Sequence, residues 1–153
     1  NVSKVTSMSS MFQEAKAFNQ PIGKWNVSNV TTMTSMFYNA NAFNQPIGNW
    51  NVSKVTSMNF MFQGANVFNQ PIGKWNVSKV KSMMQMFAYA YAFNQDLNNW
   101  TVYSSVDTGY MFYDNKSTMK QSNVSEWRSK LTEKVRNNIS STYPKGLLMF
   151  PMG

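Results

Sequence analysis

Six carboxylates are the only acids in the 153 residues: Glu14, Asp96, Asp107, Asp114, Glu126 and Glu133. Hydrolysis by a carboxylate pair needs two of them about 5–9 Å apart across a cleft. Asp107 and Asp114 are the pair whose spacing can bring them to one face. The chain has no His and no Cys. A Ser/His/Asp triad, a His base, a His-ligated metal and an N/S transition-metal site are thereby excluded. Neither a Gly-rich phosphate loop nor a calcium loop is present. The sequence therefore reads as a non-enzyme without cofactor, catalytic residues or metal ligands.

Binding chemistry is better supplied. Lys24, Asn26, Ser28, Asn51, Ser53, Lys54, Lys74, Asn76, Ser78 and Lys79 recur at regular intervals. If the neighbouring Trp and Val side chains point inward, these residues point outward as a polar grid edged with positive charge. Asn49 and Asn99 stand where other repeats have Lys24 and Lys74. Such a grid can hydrogen-bond a glycan and attract an acidic polymer; a merely solvated face is the bland alternative. The formal charge is +8. Residues 1–100 hold seven basic and two acidic residues, and 101–153 hold seven and four. Charge this dispersed lacks the clustering that specific nucleic-acid binding requires.

The elements that must position these side chains follow from a period. Trp25, Trp50, Trp75 and Trp100 lie 25 residues apart. Around them Asn-Val-Ser-x-Val-x-x-Met-x-x-Met-Phe-x-x-Ala-x-x-Phe-Asn-Gln-Pro-Ile-Gly-x-Trp recurs almost unchanged. A fixed period of this length signals a stacked repeat array. The repeats cover 1–25, 26–50, 51–75 and 76–100, with a degraded copy at 101–121. Trp-Asn-Val-Ser alternates apolar and polar, which predicts a short strand. Val55, Met58, Met61, Phe62 and Ala65 follow at spacings of three and four, which predicts one face of a short helix or 3₁₀ segment. Phe68 to Gly73 then turn the chain back.

The predicted fold is an α/β repeat: a leucine-rich-repeat-like right-handed solenoid of about five coils, with short parallel strands and short helical segments. Stacking turns every repeat position into a column. Trp25, Trp50, Trp75 and Trp100 form one structural ladder, and Asn19, Asn44, Asn69 and Asn94 another that satisfies backbone groups of the next turn. Met, Phe and Ala columns fill the core. Residues 122–153 form the second unit. Val124, Trp127, Leu131, Val135 and Ile139 are at helical spacing, which predicts an amphipathic capping helix followed by an apolar tail at 147–153. No stretch approaches the roughly 18 apolar residues of a membrane span. Asn1 in place of a Met start points to a matured product or a fragment.

The stretch Asn-Val-Ser-Asn-Val-Thr-Thr-Met-Thr-Ser-Met-Phe at 26–37, with Ala40, Phe43, Asn44, Gln45 and Trp50, resembles the BspA-like leucine-rich-repeat surface proteins. More narrowly it is similar to the 25-residue repeat of Mycoplasma-type lipoproteins and lactobacillus surface proteins. The resemblance covers 1–100 closely and 101–121 loosely. It implies a protein of the extracellular space, a cell surface or a virion or particle surface, used for adhesion or assembly. The expected function is thus non-enzymatic, structural or adhesive, through contacts with other subunits or host and cell-surface proteins. The alternative is a carbohydrate- or polyanion-binding module that uses the Asn/Ser/Lys face.

Overall fold

A computed structural model describes residues 1–103, 105–115 and 118–130. Residues one period apart lie side by side. Phe37, Phe62, Phe87 and Phe112 form one ring stack, with centroids 5.5–5.6 Å apart. Phe43, Phe68 and Phe93 form a second at 5.9–6.0 Å. Trp50, Trp75 and Trp100 form a third at 6.3–6.4 Å. The two Phe stacks touch within each repeat, as Phe62 does Phe68 at 4.2 Å. Met33, Met58, Met83, Met36, Met61, Met86, Ala40, Ala65 and Ala90 complete a fully buried core. Aromatic pairs of this kind contribute about 0.5–1.5 kcal/mol each beyond the area they bury.

The expected α/β solenoid of strands and helices is not what forms. Among the described residues there is no α-helix, no strand and no sheet; the one helix is a 3₁₀ helix at Gln121–Lys130. Neighbouring repeats meet at isolated parallel bridges, Ser7 to Thr32, Thr32 to Ser57, Ser57 to Ser82 and Ser82 to Asp107.

The cause lies in where the backbone amides go. The amides of Met33, Ser35, Phe37 and Asn39 donate to the carbonyls of Ser57, Asn59, Met61 and Gln63 in the next repeat, at 2.8–3.0 Å. The intervening amides of Met36, Tyr38 and Ala40 close tight turns onto Met33, Ser35 and Phe37. An α-helix needs each amide to reach four residues back along its own chain, and here every second amide is taken by the neighbour. A strand needs extended backbone, and the chain instead turns through positive φ at Ser35 (57°) and Asn39 (54°). The same two places recur in every repeat, at Ser10, Phe60, Gln85 and Tyr110 and at Glu14, Gly64, Tyr89 and Asp114. Consecutive three-residue turns bring Val55, Met58, Met61, Phe62 and Ala65 inward, which mimics the apolar spacing of a helix.

The segment expected as a strand also bends. The Asn26, Asn51 and Asn76 side-chain oxygens accept from the amides of Ser28, Ser53 and Ser78 at 3.0–3.1 Å. These are Asx turns, which compete with extended pairing.

Glycine sets how closely repeats approach. A Cβ on Gly23 or Gly48 would lie 2.5 Å from the carbonyl oxygen of Pro46 or Pro71, and one on Gly73 2.7 Å from that of Asp96. Asn98 stands one period after Gly73. Its Nδ2 donates to the Ser122 carbonyl and its Oδ1 accepts from the Glu126 amide, both at 2.8 Å. Asn98 thus pins the 3₁₀ helix where the glycine contact ends. Val124 and Trp127 of that helix are buried. The expected amphipathic α-helix is replaced there by a 3₁₀ helix; Leu131, Val135, Ile139 and the tail at 147–153 lie outside the described residues. No helix among the described residues is long and apolar enough to cross a membrane.

Candidate binding surface

The two structural ladders hold the surface in register. Asn19, Asn44 and Asn69 each accept, through the side-chain oxygen, from the amide of Asn44, Asn69 and Asn94 in the next repeat at 2.9–3.0 Å. Gln45, Gln70 and Gln95 donate to the same oxygens at 2.9–3.1 Å. The indoles of Trp50, Trp75 and Trp100 donate to the carbonyls of Ile22, Ile47 and Ile72 at 3.0–3.1 Å. Trp25, in the first repeat, is only partly buried. Every repeat is therefore hydrogen-bonded to the next on two sides, and exposed side chains keep a fixed pitch.

The polar grid expected on a sheet divides. Asn26, Asn51 and Asn76 are exposed, but their oxygens already serve the Ser28, Ser53 and Ser78 turns. Ser78 also donates its hydroxyl to Asn76 at 2.7 Å. Lys54 donates to Asn29 Oδ1 at 3.0 Å, and Asn29 in turn to the Ser3 carbonyl at 2.8 Å. Lys79 is exposed in the same column.

Lys24 and Lys74 lie elsewhere. They line a surface groove of about 540 Å³ with Asn49 and Asn99, the two residues that replace Lys in alternate repeats. Gly23, Gly48, Gly73, Pro46 and Pro71 also line it, and Gln95 and Asp96 stand toward one end. The sequence sets Lys24 and Lys74 on one edge of a single grid and Lys54 and Lys79 on the other; only the first pair lines the groove. The Pro and Gly positions were visible in the repeated Pro-Ile-Gly turn, where they read as turn residues alone.

A second surface feature had no counterpart in the sequence reading. Tyr113 sits edge-on to both Tyr89 and Tyr110, with centroids 5.5 and 5.9 Å away. Tyr103, Tyr110 and Tyr113 are the large, well-exposed rings of this end. Tyr89 and Tyr110 occupy positive-φ positions at 58° and 52°, where bulky residues are rare and cost about 1–3 kcal/mol of backbone strain. Partial burial raises the Tyr89 hydroxyl pKa above 10.0, helped by Tyr113 and then Asp114. The signal in the sequence was the switch at these columns from Ser, Asn and Gly to Tyr.

Asp107 Oδ1 accepts from the Gly109 amide at 2.9 Å, and Glu14 Oε1 from Asn39 Nδ2 at 2.9 Å. Asp114 is exposed at a positive-φ turn. No group of three or more metal-ligating side chains occurs among the described residues.

The model of a family described as "Mycoplasma protein of unknown function, DUF285" matches residues 1–67 and again residues 45–144. No curated protein and no solved structure matches the chain.

Proposed function

We propose that this chain, which belongs to that DUF285 family of Mycoplasma proteins of unknown function, is a non-enzymatic structural or adhesive surface component acting through protein–protein contacts. The observation that carries the reading is the tyrosine cluster of Tyr89, Tyr110 and Tyr113. Tyrosine supplies a large, stiff, amphipathic contact area, and it is enriched at protein interfaces. Gly or Asn would relax the backbone at the Tyr89 and Tyr110 positions, so strained tyrosines there favour a role at the surface. The resemblance to BspA-like surface repeats agrees with this reading. So does the lack of any His or Cys for the commoner catalytic constellations.

Light scattering across a concentration series tests the reading. Association beyond the single chain is expected, and Tyr110→Ser with Tyr113→Ser is expected to abolish it. A single-chain mass at every concentration overturns the assembly reading.

A second reading, binding of a carbohydrate or acidic polymer, is favoured by one observation. Lys24 and Lys74 share a groove with the amides of Asn49 and Asn99.

A further inference from the structure

We propose that this groove holds an anionic polysaccharide laid along the stack of repeats, with one acidic group on every second sugar. The proposal rests on the polymer-binding reading and gives it a site, a direction and a charge pattern.

The groove runs across successive repeats, since its lining takes the same positions from each: Lys24, Asn49, Lys74 and Asn99. The tryptophan column beside these lysines advances 6.3–6.4 Å per repeat, so Lys24 and Lys74, two repeats apart, stand roughly 12–13 Å from each other. One sugar of an extended glycan advances slightly less than one repeat, a difference the long, flexible lysine side chains take up. A polymer in register with the repeats therefore meets cation, amide, cation, amide in turn. An acid on alternate sugars places each carboxylate or sulfate at a Lys, and the neutral sugar between at an Asn, whose amide can both donate and accept. Pro46 and Pro71 are exposed beside them and offer flat apolar surface to the C–H faces of the rings.

Nucleic acid fits this groove less well. A single nucleic-acid strand is held at its phosphates by Lys and Arg side chains. It also binds by stacking bases on aromatic rings, and no aromatic residue lines this groove. Asp96 stands where the preceding repeats have Pro46 and Pro71. Its carboxylate repels an anionic chain and marks the end of the favourable track.

Calorimetric titration with a hyaluronan decasaccharide, one carboxylate per two sugars, is the test. Polygalacturonate, with a carboxylate on every sugar, and single-stranded DNA serve as comparison probes. Hyaluronan is expected to bind more tightly per charge than either. Lys24→Glu with Lys74→Glu should weaken it by roughly tenfold or more, while Lys16→Glu with Lys81→Glu, the same charge change outside the groove, should not. Asp96→Asn should strengthen it. Equal losses from both pairs would reduce the effect to diffuse charge and overturn the groove. Loss from Lys54→Glu with Lys79→Glu instead would keep polymer binding and move the site away from the groove. Tighter DNA binding that is lost with Lys24 and Lys74 would overturn the ligand class. Binding to none of the three probes would sink the polymer reading as well.

Discussion

The indole Nε1 of Trp127 donates to the carbonyl of Leu97 at 2.9 Å. It is the bond that Trp50, Trp75 and Trp100 make to Ile22, Ile47 and Ile72. Trp127 thus continues the tryptophan ladder, although it follows Trp100 by 27 residues and not 25. Each of these carbonyls also accepts a backbone amide, as Leu97 does from Trp100 at 3.0 Å. The indole bond is therefore a second bond to a shared acceptor. Trp127→Phe removes that bond and leaves part of a buried ring site empty. It should lower stability by roughly 1–3 kcal/mol. The urea midpoint should fall with little change in slope, and an unaltered midpoint would mean that the 3₁₀ helix adds nothing to the stack.

Gly48 is held by distance. Its Cβ would sit 2.5 Å from the Pro71 carbonyl oxygen, a backbone atom that cannot swing aside. Gly48→Ala must push two repeats apart and strain the Asn44–Asn69 and Trp50–Trp75 contacts nearby. The expected cost is about 1–3 kcal/mol, as for other overpacked sites. Thermal unfolding checks it, and an unchanged midpoint would show that the repeats separate freely.

What could be read from the sequence divides along a physical line. The period named neighbours, because residues at one repeat position must share a column once repeats stack. Phe37 beside Phe62 and Asn44 beside Asn69 follow from that alone. The period did not name backbone state. Val55, Met58, Met61, Phe62 and Ala65 point inward either on a helix or on consecutive tight turns, and side-chain spacing cannot separate the two. Only the destinations of alternate amides in the next repeat decide it, and those are set by stacking. The groove was half visible: Lys24, Asn49, Lys74 and Asn99 stood out along one edge of the grid, but that Gly23, Gly48, Pro46 and Pro71 make a groove beside them depends on how each turn folds. Trp127 was hidden by the longer spacing. The apolar residue three positions ahead of each Trp, Ile47 before Trp50 and Val124 before Trp127, is the signal that would have found it.

Ser35 tests the tight-turn backbone directly. Its φ is 57°, and its amide donates to the Asn59 carbonyl at 2.9 Å. Glycine takes this conformation without strain, whereas a β-branched residue is an outlier there. Ser35→Gly should change stability by less than about 1 kcal/mol, and Ser35→Val should cost about 1–3 kcal/mol. On a helix the order would be reversed or flat, so paired chemical denaturation curves distinguish the two backbones.

Tyr89 makes stability depend on alkaline pH. Partial burial, then Tyr113 and Asp114, raise its pKa in the folded chain above the ordinary 10.0. The folded state therefore keeps the phenol protonated after the unfolded chain begins to lose that proton. The contribution is fully present below about pH 10 and is lost as pH rises through the unfolded value and on through the folded one. Tyr89→Phe has no proton to lose. Its unfolding midpoint should fall less steeply than the parent's as pH rises past the ordinary tyrosine value of 10.0. Parallel pH dependences would show that Tyr89 ionises freely.

Asn115 is a polar residue in an apolar column. It occupies the place of Ala40, Ala65 and Ala90, is 1% exposed, and neither side-chain amide atom has a hydrogen-bond partner. Burying an amide without partners costs about 1–3 kcal/mol. Its backbone carbonyl accepts from the Thr118 amide at 3.3 Å, a bond that any side chain leaves intact. Asn115→Ala should therefore raise stability by about 1–3 kcal/mol, less the small void left by the shorter side chain. The reciprocal change, Ala65→Asn in a central repeat, forces an amide between the Phe62 and Phe68 rings and their neighbours and should be strongly destabilising. Calorimetric midpoints that move in opposite directions would establish that an unpartnered amide is unfavourable at both positions of the column. A loss of stability in Asn115→Ala would mean that the amide is satisfied by a group the buried column does not supply.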